Sequence, residues 1–251
     1  MDEPPAGAYA GLGALEGSAR GEGNVTARLA LMGELHPLSG GTLVDIGCGN
    51  GAYTRRLAAG FTRVVAVDVE PDRLDVFRAS EPPASIDIRL GDAADLGLDA
   101  GSVDLVTAIE TFEHLGGSLD GVVRECRRIL RPGGTLLLTT PNRWFPIEQH
   151  GWLRRGRRRP GWQAPGLTWV RPIHRRYSDA ATFTPRELDG LICPTGFERS
   201  GLRYMMPPLD GHAAVGAAAR PVLDLLRATP LRVVGQTLVM AYRRTGGPDA
   251  G

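Results

Sequence analysis

From Thr42 onward the chain alternates short apolar runs rich in Val, Ile and Leu with segments whose apolar residues recur every three or four positions. The runs Thr42 to Ile46, Arg63 to Asp68, Ile86 to Leu90, Val103 to Ile109 and Gly134 to Thr140 predict strands. Between the last two, Leu119, Val122, Val123, Cys126, Ile129 and Leu130 fall at helical spacing behind Ser118, which reads as an N-cap. The RPGG run from Arg131 to Gly134 ends that helix and opens the next strand. Thr184-Pro185-Arg186-Glu187 sets an N-cap, a first-turn proline and a capping-box glutamate in register, which predicts a helix to about Ile192. Phe197 to Tyr204 and Gln236 to Tyr242 read as two closing strands. The sum is an α/β fold with a doubly wound, mostly parallel seven-stranded sheet.

The alternation fails in two places. Residues 1–23 carry few apolar anchors and read as a flexible N-terminal arm, leaving 24–251 as the folded domain. From 141 to 182 the alternation stops for longer than a structureless connection in a compact domain usually runs. This stretch reads as an inserted lid over a substrate. It holds Trp144, Trp152, Trp162 and Trp169 and the basic run RRGRRR from Arg154 to Arg159.

Composition adds limits. The chain has 251 residues, 42% of them hydrophobic, enough for one substantial core. Its formal charge of +1 gives no footprint for nucleic acid, and the absence of lysine reads as coding bias, not as chemistry. Cys48, Cys126 and Cys193 lie far apart, without the spacing of a zinc site or a disulfide framework. With no apolar run of membrane-spanning length, the expectation is a soluble, cytoplasmic protein.

The run VDIGCGNG, Val44 to Gly51, follows a strand and opens a helix, as a glycine-rich nucleotide loop does. Glycines Gly47, Gly49 and Gly51 let backbone amides approach a ligand, and Cys48 lies between two of them. A dinucleotide fingerprint would be G-x-G-x-x-G and would receive a pyrophosphate. Here Asp45 precedes the first glycine, a carboxylate that repels pyrophosphate and suits a cationic amino group. Asp68 ends the second strand, where an acid can accept from both hydroxyls of a ribose, with Val69 beside it. Asp92 and Ala93 follow the third strand, and Asp92 can take an adenine amine.

These residues, with VDLVTAIETFEHL and LRPGGTLLLTTPN, resemble the successive motifs of the class I S-adenosylmethionine-dependent methyltransferase family over about Thr42 to Asn142. The resemblance implies S-adenosyl-L-methionine as cofactor, a Rossmann-like methyltransferase fold and a small-molecule acceptor. Three functions stay open on the residues: O-methylation, or N- or C-methylation, of a small molecule; a nicotinamide-dependent oxidation; or cofactor binding without catalysis.

Glu110-x-x-Glu113-His114 resembles the ExxEH segment of ubiquinone-pathway O-methyltransferases. Glu110 and His114, four apart, could share a helical face beside the cofactor as base or weak metal ligands, although no metal site is assigned. Glu113 and His114 can equally cap and solvate a short turn. Beyond the fifth strand, Glu148 and His150 could face the same way if extended, and His150 is the first candidate for general base because histidine titrates near neutrality. His36, His174 and His212 have no supporting motif. The Arg run reads as a solvated face, or, with the tryptophans, as a lid in weak contact with an anionic membrane surface.

Overall fold

The computed structural model describes residues 19–207 and 228–246, together with 221, 223, 225 and 226. In chain order the elements are α1 (Ala19–Leu35), β1 (Gly40–Ile46), α2 (Ala52–Leu57), β2 (Phe61–Asp68), α3 (Pro71–Ala79), β3 (Ile86–Leu90), β4 (Val103–Ile109), α4 (Leu119–Ile129) and β5 (Leu130–Pro141). There follow a hairpin of β6 (Trp152–Arg154) and β7 (Arg157–Arg159), then α5 (Arg171–Tyr177), α6 (Pro185–Ile192), β8 (Phe197–Met205) and β9 (Thr237–Arg244).

The main sheet has seven strands in the order β3-β2-β1-β4-β5-β9-β8. Pairs from β3 to β5 are parallel, whereas β9 runs antiparallel to both β5 and β8. The chain reverses its direction of travel between β1 and β4, and in such sheets ligands bind outside the carboxyl ends of the strands at that point.

Because side chains alternate along a strand, the sheet feeds two cores. Val44 and Ile46 of β1 join Val106, Leu136, Met240 and Val122 of α4 on one face. Leu43, Val64, Leu105, Leu137 and Val239 join Met32 of α1 and Phe77 of α3 on the other. Each face can bury a full helical layer, so the central strands are apolar at nearly every position.

The structure corrects several expectations. Helix α1 begins at Ala19, so the boundary expected at residue 23 falls inside a helix that lies against β8 and β9, with Met32 fully buried. The remainder of the arm, residues 1–18, and His212 lie outside the described residues. Ser118 does precede α4 but does not cap it: its hydroxyl donates to Leu115 O (2.6 Å), because its backbone is already helical and points the side chain back into the preceding turn. By contrast, Thr184 and Glu187 form the reciprocal capping box at the start of α6.

Candidate functional site

Strand β1 delivers its chain into a turn that only glycine fits easily. Gly47, Gly49 and Gly51 have φ of 70°, 55° and 81°, all left-handed. A Cβ on Gly47 would stand 2.4 Å from Thr111 Oγ1. Gly47 and Cys48 donate their N–H groups to Val67 O (2.8 and 3.1 Å), which ties the turn to β2. The Cys48 thiol is buried, and burial pushes its pKa up, away from thiolate chemistry.

Asp68, 5% exposed at the end of β2, accepts from Gly49 N at Oδ2 (2.7 Å) and from Glu70 N at Oδ1 (2.9 Å). Each oxygen retains a lone pair for a further donor. Beside it stand two exposed apolar side chains, Val69 and Leu90, the latter being the residue paired with Asp68 across β2 and β3. Asp92 is exposed and accepts from Ala94 N (2.9 Å), with Ala93 buried beneath it. This corner offers an acidic acceptor between apolar walls, a setting for a ribose and a flat heterocycle.

Asp45 departs from expectation. Its carboxylate is buried and accepts from Thr54 Oγ1 (2.6 Å) and Thr107 Oγ1 (2.7 Å), so it clasps β1, α2 and β4 together rather than standing open to a cation. Burial pushes its pKa up to about 6 against the pull of the two hydroxyls.

Glu110 follows β4 with φ of 52°, a conformation non-glycine residues seldom adopt. Its N–H donates to Thr139 O (2.9 Å), and Thr139 Oγ1 donates to Glu110 Oε1 (3.1 Å). Arg28 Nη2 lies 3.3 Å from the same oxygen. That arginine, on α1, is 4% exposed. It donates to Tyr53 OH (3.1 Å), stands 5.6 Å over the Tyr53 ring, and leaves its buried Nε without a partner. Burial opposes its charge, but Glu110 and Tyr53 outweigh that and raise its pKa. Sequence reasoning missed Arg28. The available signal was its place between Val25 and Met32, buried residues three back and four on, which puts a guanidinium on the inner stripe of a helix.

Glu110 and His114 do not share a helical face, because residues 112–114 form a 3₁₀ turn that Glu110 precedes. Nor is Glu113 solvated: it is 2% exposed, accepts from Thr140 Oγ1 (3.1 Å), and keeps Oε1 unpartnered. Burial, with Glu110 nearby, pushes its pKa up to about 8. His114 meets His150 edge to face, ring centroids 5.1 Å apart. Burial and the His150 charge lower the His114 pKa to about 4. Donor atoms of Glu113, His114 and His150 lie within 4.8 Å of one another, a set that a divalent cation could join.

The chain beyond β5 contributes His150 to this cluster and returns to it at Ala181. Ala181 N donates to Glu113 O (2.9 Å). Glu148 and His150 meet through a local turn, not an extended strand: His150 N donates to Glu148 Oε1 (3.0 Å), and His150 Nδ1 stands 3.7 Å from it. His174, given no role by sequence, is buried and bonded through Nε2 to Glu148 Oε2. Burial opposes ionisation of Glu148, yet the two histidines hold its pKa at about 2. Burial likewise opposes charge on His150, but Glu148, Glu113 and Glu110 outweigh it and raise its pKa. The glycine loop and the histidine pair are joined by one short link, since Thr111 donates to Ile46 O (3.1 Å) three residues before His114.

Comparison with known proteins locates this architecture. The family described as Methyltransferase domain matches residues 44–138. "Ubiquinone biosynthesis O-methyltransferase" of Xanthomonas campestris pv. campestris is 36% identical over 122 residues, 47% of this chain and 48% of that protein. A Mycolicibacterium smegmatis protein named "Probable S-adenosylmethionine-dependent methyltransferase" is 34% identical over 163 residues, 65% of this chain and 54% of the other. The chain thus spans about half the length of the curated relatives it matches. The crystal structure of an S-adenosylmethionine dependent methyltransferase from Mesorhizobium loti superposes with a TM-score of 0.63 at 21% identity, covering 87% of this chain and 98% of that one, and so shares its fold. The strand order, the glycine turn ahead of Asp68 and the family match all fall on one stretch of sequence, so that residues 44–138 are similar to the methyltransferase domain family and lie on a Rossmann-like methyltransferase fold.

Proposed function

We propose that this chain transfers a methyl group from S-adenosylmethionine to a hydroxyl oxygen of a small molecule of natural-product, sugar or quinone-like type. The observation that carries the reading is His150: a partly buried imidazole with Glu148 on its Nδ1 side, in edge contact with His114, whose backbone is bonded to Thr111 and through it to Ile46 O just ahead of the glycine turn. An alcohol or phenol must lose its proton to attack, whereas an amine need not, so a poised histidine favours oxygen over nitrogen as acceptor.

The residues present fit the cofactor. Asp68 would hold the ribose, Val69 and Leu90 would flank the adenine, and Asp92 its amine. The orphaned Nε of Arg28 suits a carboxylate such as that of the methionine portion. When bound, the cofactor supplies a methyl group on a sulfonium centre. The chain's own work is then positioning and proton removal. Glu148, fixed by His174, accepts from the His150 backbone N–H and stands 3.7 Å from the ring Nδ1, where its charge would stabilise the imidazolium formed on accepting the acceptor proton. His114, kept neutral, presents an uncharged edge to it. Residues 141–182 form the lid that excludes water, in an enzyme we place in the cytoplasm and assign no nucleic-acid partner.

The test is His150→Ala, assayed for S-adenosylhomocysteine release over a panel of phenols, sugars and amines. Turnover should fall about 10²- to 10⁴-fold with cofactor affinity nearly unchanged. Loss of no more than a few-fold sinks the base. Exhaustive chelation should leave wild-type turnover intact; a loss restored by a divalent metal would reassign Glu113, His114 and His150 as its ligands.

A further inference from the structure

The β6 and β7 hairpin carries a charge arrangement that methyl transfer does not use. Its register sets Arg154 directly opposite Arg157, with Trp152 opposite Arg159. Like charges in such cross-strand pairs repel. Alternation along the strands puts Leu153 and Arg158 on the other face, where Arg158 donates to His150 O (2.6 Å) and pairs with Asp179 (2.5 Å). The turn itself, Arg155 at φ 51° and Gly156 at φ 72°, is the two-residue mirror-image type that favours Asn and Gly, so a further arginine occupies a backbone position that disfavours it. Strain of that kind at an exposed tip points to a functional demand.

Arg154, Arg155, Arg157 and Arg159 line a hollow of about 420 Å³. That lies within the roughly 300 to 1,000 Å³ of small-ligand sites. Between Gln149 and Ser178 the sequence has eight arginines and no Asp or Glu, in a chain whose formal charge is only +1. Among the described residues, Arg158 and Arg171 of this stretch have carboxylate partners, and the four around the hollow have none.

We propose that this hollow is a binding site for a phosphate or diphosphate group. Guanidinium forks match phosphate oxygens two at a time, and an anion between Arg154 and Arg157 turns their repulsion into attraction. Trp162, 67% exposed three residues beyond β7, is the aromatic side chain nearest in sequence that could receive an apolar body attached to that group. A phosphorylated small molecule and the headgroup of an anionic lipid present the same chemistry. Binding here requires no cofactor, so the site stands apart from the methyl-transfer reading.

The full chain is titrated with inorganic pyrophosphate by calorimetry, and separately sedimented with vesicles of phosphatidylcholine with and without phosphatidylglycerol. Arg154→Gln/Arg157→Gln should weaken pyrophosphate binding about tenfold or more, whereas the equally charged control Arg175→Gln/Arg176→Gln should change it no more than about two-fold. Hairpin-dependent binding to the phosphatidylglycerol vesicles without pyrophosphate binding would assign the phosphate to a lipid headgroup. Equal loss in both double variants means undirected charge attraction and overturns the site, as does binding of neither probe by the wild type. Should the double variant misfold by circular dichroism, Arg155→Asn, which suits the turn, carries the same comparison.

Discussion

Asp45 and Asp68 are the same side chain put to opposite uses on two adjacent strands, β1 and β2. Two threonine hydroxyls occupy Asp45, so it holds elements together; two backbone amides orient Asp68 and leave it acceptor capacity. Asp68→Ala should therefore weaken S-adenosylmethionine binding by about 1 to 3 kcal/mol, the worth of charge-assisted hydrogen bonds. Calorimetry checks it, and unchanged affinity would move the ribose elsewhere. Arg28→Gln removes a buried donor while keeping much of the side chain's length. Affinity for the cofactor should drop by about 2 kcal/mol, and Arg28→Lys should recover only part of it, because a point charge cannot reproduce the fork. If affinity for adenosine, which lacks the amino-acid end, falls equally in Arg28→Gln, then Arg28 supports the fold through Glu110 and does not meet the carboxylate.

Elements differed in how plainly they could be read. The parallel strands and α6 were legible because each is specified locally, by apolar runs or by Thr184 reaching Glu187 three residues on. Helix α1 was not, since Gly21, Gly23 and Gly33 interrupt its pattern and a charged residue, Arg28, sits on its buried stripe. Strands β6 and β7 are three residues each, and Arg157–Arg159 has no apolar position to betray a strand. At the site, Asp68 and the glycines were legible from spacing, whereas the bond of Glu148 to His174 joins residues 26 apart and needed the tertiary fold. Backbone amides from 143 to 180 should exchange with solvent faster than those of β1 and β4 in the free protein and slow when cofactor product and acceptor are both bound. Protection equal to the sheet's and indifferent to ligand would make the segment a fixed insertion.

The whole molecule's stability should carry the imprint of its buried cluster. His114 falls from its ordinary 6.5 to about 4 in the fold, so the unfolded chain binds more protons between those values. Its contribution is complete above pH 6.5 and is lost as pH falls through 4. Glu113 acts oppositely: raised from 4.5 to about 8, it lowers stability as pH rises across that window. Denaturant unfolding of His114→Gln and Glu113→Gln against wild type separates the two. The first difference should change only below pH 6.5, by up to about 3 kcal/mol, and the second only from pH 4.5 upward. A pH-independent difference in either would mean that the group titrates normally. The sheet order has a consequence for how the chain is made. Strand β9 lies between β5 and β8 and bonds to both, yet it follows them in sequence. During synthesis β8 therefore emerges with no strand to pair with, and β5 waits with an open hydrogen-bonding edge, until residues 237–244 leave the ribosome and slide between them. Two unpaired edges held open through that interval are the surfaces a chaperone would guard and a stalled or shortened nascent chain would use to aggregate.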